Sequence, residues 1–375
     1  MGSQTEFPVL RAFGRNAIQA QRHLVALLGA GLPGGELPRA VSEWDWSALL
    51  DLAVQTKTLG LVCKVVDDSQ LELPEPVKAR VNQSKQHLLM ASLFNLEWTI
   101  KVTKALRDAG IEALVLKGPI QSNLVYGRWD IHRSGDVDLL VRPDRFKEAG
   151  DALVQHGFLP VFDETDQWWI DHLGEEPYHN PSVRSPIIDL HHRVQQPGGP
   201  FPKDPERFFA DNVHTHYSGE DIPVLSVGHG AVLAAISYGK ALAEGASWMH
   251  YTHELVTVHA GLSPSERTAL RELAVYHGVH RLLDDALVAG RILFAGQLDT
   301  ALRVPEADYE RLLQSAFGMD SRKRLFRSRK LWAWTDGALP QRVVEFGRGL
   351  MRVWQSEMAR IAQEKEDTSR SERIA

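Results

Sequence analysis

Apolar positions fall into three stretches with different periods. From residue 8 to 110 they recur at helical spacing, as in Trp46, Leu49-Leu50 and Ala53 and again from Leu89-Met90 to Leu106. Gly31–Pro38 and Leu73–Pro76 break these helices apart. From Gly110 the runs shorten. Ile111–Lys117, Val137–Val141 and Pro186–Val194 each predict a strand. Between them a helix is expected after Gly118-Pro119, with proline tolerated in its first turn. Another should run from Pro143-Asp144 to about His156, ended by Gly157. After Val227 the helical period returns: Trp248, Tyr251, Leu255 and Val258 share one face. Ser263-Pro264-Ser265-Glu266 is a capping box that opens the next helix. Apolar content falls from Glu357, so the tail should fray. The chain divides into a helical region over 1–108, an α/β core over 109–227 and a helical domain over 228–375.

Composition narrows the class. With 375 residues, 43% hydrophobic and 24% charged, the chain is an ordinary globular protein, neither disordered nor fibrous. One cysteine, Cys63, excludes internal disulfides and cysteine-based zinc clusters and fits a reducing compartment. The longest apolar run, Leu24–Leu32, is far short of the roughly 20 residues a bilayer span needs, so no membrane association and a cytoplasmic location are expected. Net charge is −6, against general DNA binding. All of it sits in residues 111–200, which carry eight basic and fourteen acidic side chains; elsewhere the signs balance.

That acidic segment holds the densest chemistry, Arg133-Ser134-Gly135-Asp136-Val137-Asp138-Leu139-Leu140-Val141. Side chains alternate along a strand, so Asp136 and Asp138 share a face while Val137 and Leu139 take the other. Their α-carbons are then about 7 Å apart. Two such carboxylates repel and one pKa should rise, unless a divalent cation offsets the charge. Oxygen ligands without sulfur suit Mg²⁺ or Mn²⁺. A solvated strand end would also account for the pair. Asp189 adds weight, since it interrupts the apolar run Ile187-Ile188-Asp189-Leu190 and could join the pair from a neighbouring strand or act as a base. Lys117-Gly118, at a strand-to-helix junction, offers a backbone that can approach phosphate and a point charge beside it.

Together these residues resemble the DNA polymerase beta-like nucleotidyltransferase superfamily and, more narrowly, an uncharacterised nucleotidyltransferase family within it. The resemblance runs in order over about 80 residues. It comprises Leu116-Lys117-Gly118, Tyr126, Arg133, Gly135–Val141, Leu153, Gly157-Phe158 and Asp189-Leu190-His191. It implies an α+β fold, with a small mixed-sheet core flanked by helical N- and C-terminal regions. It also implies Asp136, Asp138 and Asp189 as catalytic ligands of two Mg²⁺, with Lys117 and Gly118 at a triphosphate and Arg133, Ser134 and Gly135 as nucleotide contacts. His191 is expected beside the carboxylates, as their partner or a nucleotide contact. It departs in two respects: Pro119 follows Gly118 where Gly or Ser is usual, which removes one N–H from the turn, and the 18 residues from Gly118 to Asp136 exceed the usual spacing.

The activity implied is transfer of a nucleoside monophosphate from a nucleoside triphosphate, ATP among them, with release of pyrophosphate. The acceptor stays open among small molecules, peptides, proteins and RNA ends. A non-catalytic nucleotide- or partner-binding protein on the same fold is the alternative. Other signals are weaker. Gly29-Ala30-Gly31-Leu32-Pro33-Gly34 matches a dinucleotide fingerprint but follows a helical pattern, not a strand. His214 and His216 could share a metal, whereas the adjacent His191 and His192 point to opposite faces. Arg322–Lys330 has six basic residues in nine, which keeps a local RNA contact open.

Overall fold

The computed structural model describes residues 15–132, 135–161, 170, 174–194, 202–295 and 304–318. Four helices come first: α1 (Arg15–Ala30), α2 (Trp46–Gln55), α3 (Leu59–Asp68) and the long α4 (Glu75–Asp108). Strand β1 (Ala113–Val115) and helix α5 (Pro119–Tyr126) follow, then β2 (Asp136–Val141), α6 (Phe146–Gln155) and β3 (Leu159–Pro160). Strands β4 (Glu175–His179) and β5 (Ile187–His191) lead to α7 (Glu206–Ala210) and the hairpin β6 (Val213–Tyr217) and β7 (Glu220–Val224). The chain closes with α8 (Val227–Glu244), α9 (Met249–Gly261), α10 (Pro264–Tyr276), α11 (His280–Ala295) and α12 (Glu306–Ala316). Among the described residues no helix is long and apolar enough to cross a membrane.

The fold is α+β. Its sheet runs β3-β4-β5-β2-β1-β7-β6. The sheet is mixed: β2 is parallel to β5 and β1 to β7, and the remaining neighbours are antiparallel. The three strands expected from apolar runs are central ones, shorter than predicted at both ends of β1 and β5. β3, β4, β6 and β7 were not visible in the sequence. β6 shows why: His214 and His216 are exposed, so this edge strand carries no apolar run to betray it. Capping at α10 is as expected, with Ser263 accepting from the Glu266 N–H and Glu266 reaching back to Ser263 N at 2.8 Å.

Two cores flank the sheet. Val115, Val137, Leu139 and Ile188 pack with α4 and α6 through Leu96, Val102, Leu106 and Leu153. Leu114, Leu116 and Leu140, which point the other way, join the large helical core. That core gathers α1–α3 and α8–α12 into one body, through residues such as Leu24, Leu49 and Val62 together with Trp248, Leu282 and Leu313. The helical segments at the two ends of the sequence are therefore one packed unit in space. Helix α4 belongs to both cores: Val81 and Leu88 enter the helical one, Leu96 and Leu106 the sheet one.

Candidate active site

Parity along β2 puts Asp136 and Asp138 on the face that carries Leu140, toward the helical body. The parallel register pairs Asp138 with Asp189 and Leu140 with His191, so Asp189 and His191 share that face. On the antiparallel side the Leu116 N–H donates to the Asp138 carbonyl at 3.1 Å, which brings Lys117 alongside. Its ammonium donates to Asp138 Oδ1 at 3.0 Å. Gly118 then turns with φ 97°, a conformation only glycine adopts without strain, and Pro119 opens α5. Asn95 of α4 donates to the Asp136 carbonyl at 2.5 Å and fixes the mouth of β2.

Asp138 is 5% exposed, which rules out a solvated strand end for this carboxylate. Its second partner is His191, with Nε2 3.1 Å from Oδ1. The other imidazole nitrogen, Nδ1, lies 3.2 Å from Glu175 Oε2 on β4. Burial alone would raise the Asp138 carboxyl, but Lys117 and His191 together hold it well below the usual carboxylate range. The neighbours differ. Burial and the Asp138 charge raise Asp136, against the pull of Lys117. Burial and the same Asp138 charge push Asp189 up to about 7. The expected rise thus falls on two carboxyls, while Asp138 keeps the charge.

Between the sheet and the helical body lies a cavity of about 190 Å³. The sheet side contributes Lys117, Gly118, Gln121, Asp136 and Asp138; the helical side contributes Lys57, Gly230, Leu233, Ala234, His250, Tyr251 and Glu254. It continues into a second space of about 350 Å³ bordered by Glu175, His191, Arg193 and Lys240, with Lys57, Lys117, His250 and Tyr251 common to both. Asp189 stays outside the lining, one strand over from Asp138. Burial, with the nearby His132 and Lys57, keeps His250 neutral far below the ordinary histidine range. Glu254 is buried and faces His132, Oε2 to Nε2 at 3.3 Å.

The structure brings Lys117, Gly118, Asp136, Asp138 and His191 to the adjoining cavities, with Asp189 paired to Asp138 one strand over. Gly135 is exposed at the start of β2 and lines neither cavity. Arg133 and Ser134 lie outside the described residues, as does the basic stretch at 322–330. Among the described residues no three His, Cys, Asp or Glu side chains are already gathered as a metal cage. The hard oxygen donors fit Mg²⁺ or Mn²⁺ in kind, and the mutual repulsion that raises Asp136 and Asp189 is what a divalent cation would relieve.

Other motifs are structural. Gly29 sits in α1, where its α-carbon faces the Phe294 carbonyl, so no dinucleotide loop exists there. His214 and His216 both turn to Asp221 on the β6–β7 hairpin, at 2.6 and 3.3 Å. Sequence reasoning missed Glu175, Gln121, Lys57 and the His132–Glu254 pair. Among the helical-wall residues the sequence singles out Tyr251, on a helical face, and His250, whose spacing from His253 offers a metal pair.

The Gly118 turn thus stands beside the Asp136-Val137-Asp138 strand, with Asp189 in register on the next strand. Residues 42–241, more than half of the chain, match the family described as uncharacterised nucleotidyltransferase, and the chain belongs to that family. Nucleotidyl transfer is the class of function this membership supports. No curated protein matches the sequence. One similar solved structure is the solution structure of the antibiotic-resistance factor ANT(2'')-Ia, at 12% identity over 52% of this chain and 91% of that one, with a TM-score of 0.26. A likeness at that score carries no argument.

Proposed function

We propose that the protein transfers a nucleoside monophosphate from a nucleoside triphosphate to an acceptor nucleophile. The acceptor oxygen bonds to the α-phosphorus, the bond from that phosphorus to the bridging oxygen of the β-phosphate breaks, and pyrophosphate leaves. The observation that carries this reading is the Asp138–Asp189 register, with Asp136 two residues away on the same face. Asp136, Asp138 and Asp189 would hold divalent cations, which when bound supply charge neutralisation at the phosphates.

This chain's own groups do the rest. Gly118 lets the backbone approach the triphosphate, and Lys117 swings between Asp138 and the phosphate oxygens from its half-exposed position. His191, braced by Glu175, keeps the Asp138 carboxylate oriented and ionised. Asp189 takes the proton of the acceptor hydroxyl. Positioning and electrostatics, without a covalent enzyme intermediate, account for the rate.

The test is incubation of the protein with α-labelled nucleoside triphosphates, Mg²⁺ and cell extract, followed by isolation of whatever acquires label. Label should appear with release of pyrophosphate, and Asp136→Asn or Asp138→Asn should abolish it. Undiminished labelling by both variants would overturn the assignment.

A second reading, a nucleotide-binding protein without transfer, is favoured by one observation: the Lys117 ammonium already neutralises Asp138 at 3.0 Å. Calorimetry separates the two. Triphosphate binding that ignores Mg²⁺, with no labelled product, would support the second.

A further inference from the structure

Gln121 occupies an unusual position. It stands one turn into α5, beyond the Gly118 turn, and is 7% exposed. Neither its Nε2 nor its Oε1 has a hydrogen-bond partner within the protein. A buried amide in that state costs stability. The fold nevertheless makes room for it. A Cβ at Gly230 of α8 would come 2.1 Å from Gln121 Nε2, so the absence of a side chain at position 230 is what admits the amide. Both residues line the cavity that holds Asp136 and Asp138. A second orphan faces the same space: His250, also 7% exposed, has no partner for Nδ1.

The same wall carries small and apolar positions on α8, Gly230, Leu233 and Ala234, among its polar ones. Ala234 lies one turn beyond Gly230 on α8, and α9 adds the Tyr251 ring to the same lining, tilted against His250 with ring centroids 3.8 Å apart. Small residues and an aromatic ring suit the faces of a planar heterocycle, while an amide suits its edge. A glutamine amide pairs bidentately with an adjacent donor and acceptor, as a nucleobase edge provides.

Resting on the nucleotidyl-transfer reading, we infer that Gln121 reads the base of the nucleotide, with its amide on the base edge and the base lodged between Tyr251 and the Gly230–Ala234 face of α8. Base choice then originates on α5, the same helix whose N-terminal turn meets the phosphates. Gly230 is a positioning residue that keeps the amide in reach.

The test is calorimetric titration of the full chain, in Mg²⁺, with ATP, GTP, CTP, UTP and inorganic triphosphate. The native protein should prefer one or two of the four nucleotides. Gln121→Met keeps the side-chain shape and removes both orphaned atoms. It should weaken the preferred nucleotide at least about tenfold, level the preference and leave inorganic triphosphate unchanged. Its melting temperature should equal or exceed that of the native protein, since no buried polar atom goes unpaired. Gly230→Ala should shift nucleotide affinity in the same direction. Binding of all four nucleotides by Gln121→Met with native affinities would overturn the inference alone. A native protein that binds none of the four would overturn the nucleotidyl-transfer reading and this inference with it.

Discussion

Asp138 and Asp189 stand directly opposite each other on adjacent parallel strands, yet their carboxyls are held in opposite states. Lys117 and His191 overcome the cost of burial and keep Asp138 ionised, and burial together with that retained charge pushes Asp189 up to about 7. One site thus holds one carboxyl pulled down and a neighbour pushed up by the same buried charges.

A pH signature follows from Asp189. Its native pKa lies above its unfolded value of about 3.9, so the stability it contributes is present below that value and is lost as pH rises to about 7. Asp189→Asn should remove this loss. The stability difference between variant and native protein, from urea midpoints at pH 5 and pH 8, should move in the variant's favour at pH 8. Added Mg²⁺ should raise the native melting temperature more at pH 8 than at pH 6, because binding then needs no proton release. An identical pH profile for both proteins would contradict the argument.

Buried histidines act in the opposite sense. Burial holds His229 down to about 4, with His277 adding to the effect, and holds His253 down to about 4; it also holds His250 well below the ordinary histidine range. Their stabilisation is present above about pH 6.5 and is lost as pH falls toward 4. They outnumber Asp189, so net stability should decline from pH 7 to pH 5. A flat thermal midpoint across that range would show that these imidazoles are not neutral in the folded state.

Glu175 acts on the site through His191. Glu175→Gln keeps the shape but gives up the charge that orients the imidazole, and the Mg²⁺ concentration for half-maximal transfer should rise about tenfold. The fold should be unaffected, since Glu175 is only partly buried. An unchanged Mg²⁺ requirement would detach Glu175 from the site.

Gly29→Ala tests the fingerprint-like run. The new Cβ would meet the Phe294 carbonyl at 2.3 Å, so α1 must move off α11 at a cost of about 1–3 kcal/mol. Nucleotide affinity should not change. Lost affinity at native stability would restore a nucleotide role to that segment.

Much of the site was legible because strand alternation is a strict rule. Parity alone puts Asp136 with Asp138 on one face of their strand and Asp189 with His191 on one face of theirs, and the parallel register then brings the two pairs side by side. Glu175 and Gln121 were not legible. Glu175 reaches His191 only through the pairing of β4 with β5, and β4, a strand of mixed polarity, announced itself by no pattern. Gln121 looks like any polar residue on a short helix until Gly230, 109 residues away, is packed against it. The union of the helical ends was hidden for a similar reason: periodicity shows that a helix has a buried face, not which helix covers it.

That union has a consequence for how the chain must be made. Leu24 through Val66 leave the ribosome more than 160 residues before Ala231, their first C-terminal helical partner in the shared core. At ordinary synthesis rates the apolar faces of α1–α3 wait on the order of ten to thirty seconds for cover. The sheet completes in that interval, and the wall that carries Gly230, His250 and Tyr251 follows it. The cleft therefore closes only after the sheet exists, and a nascent chain holds the three carboxylates well before it can close a nucleotide against them.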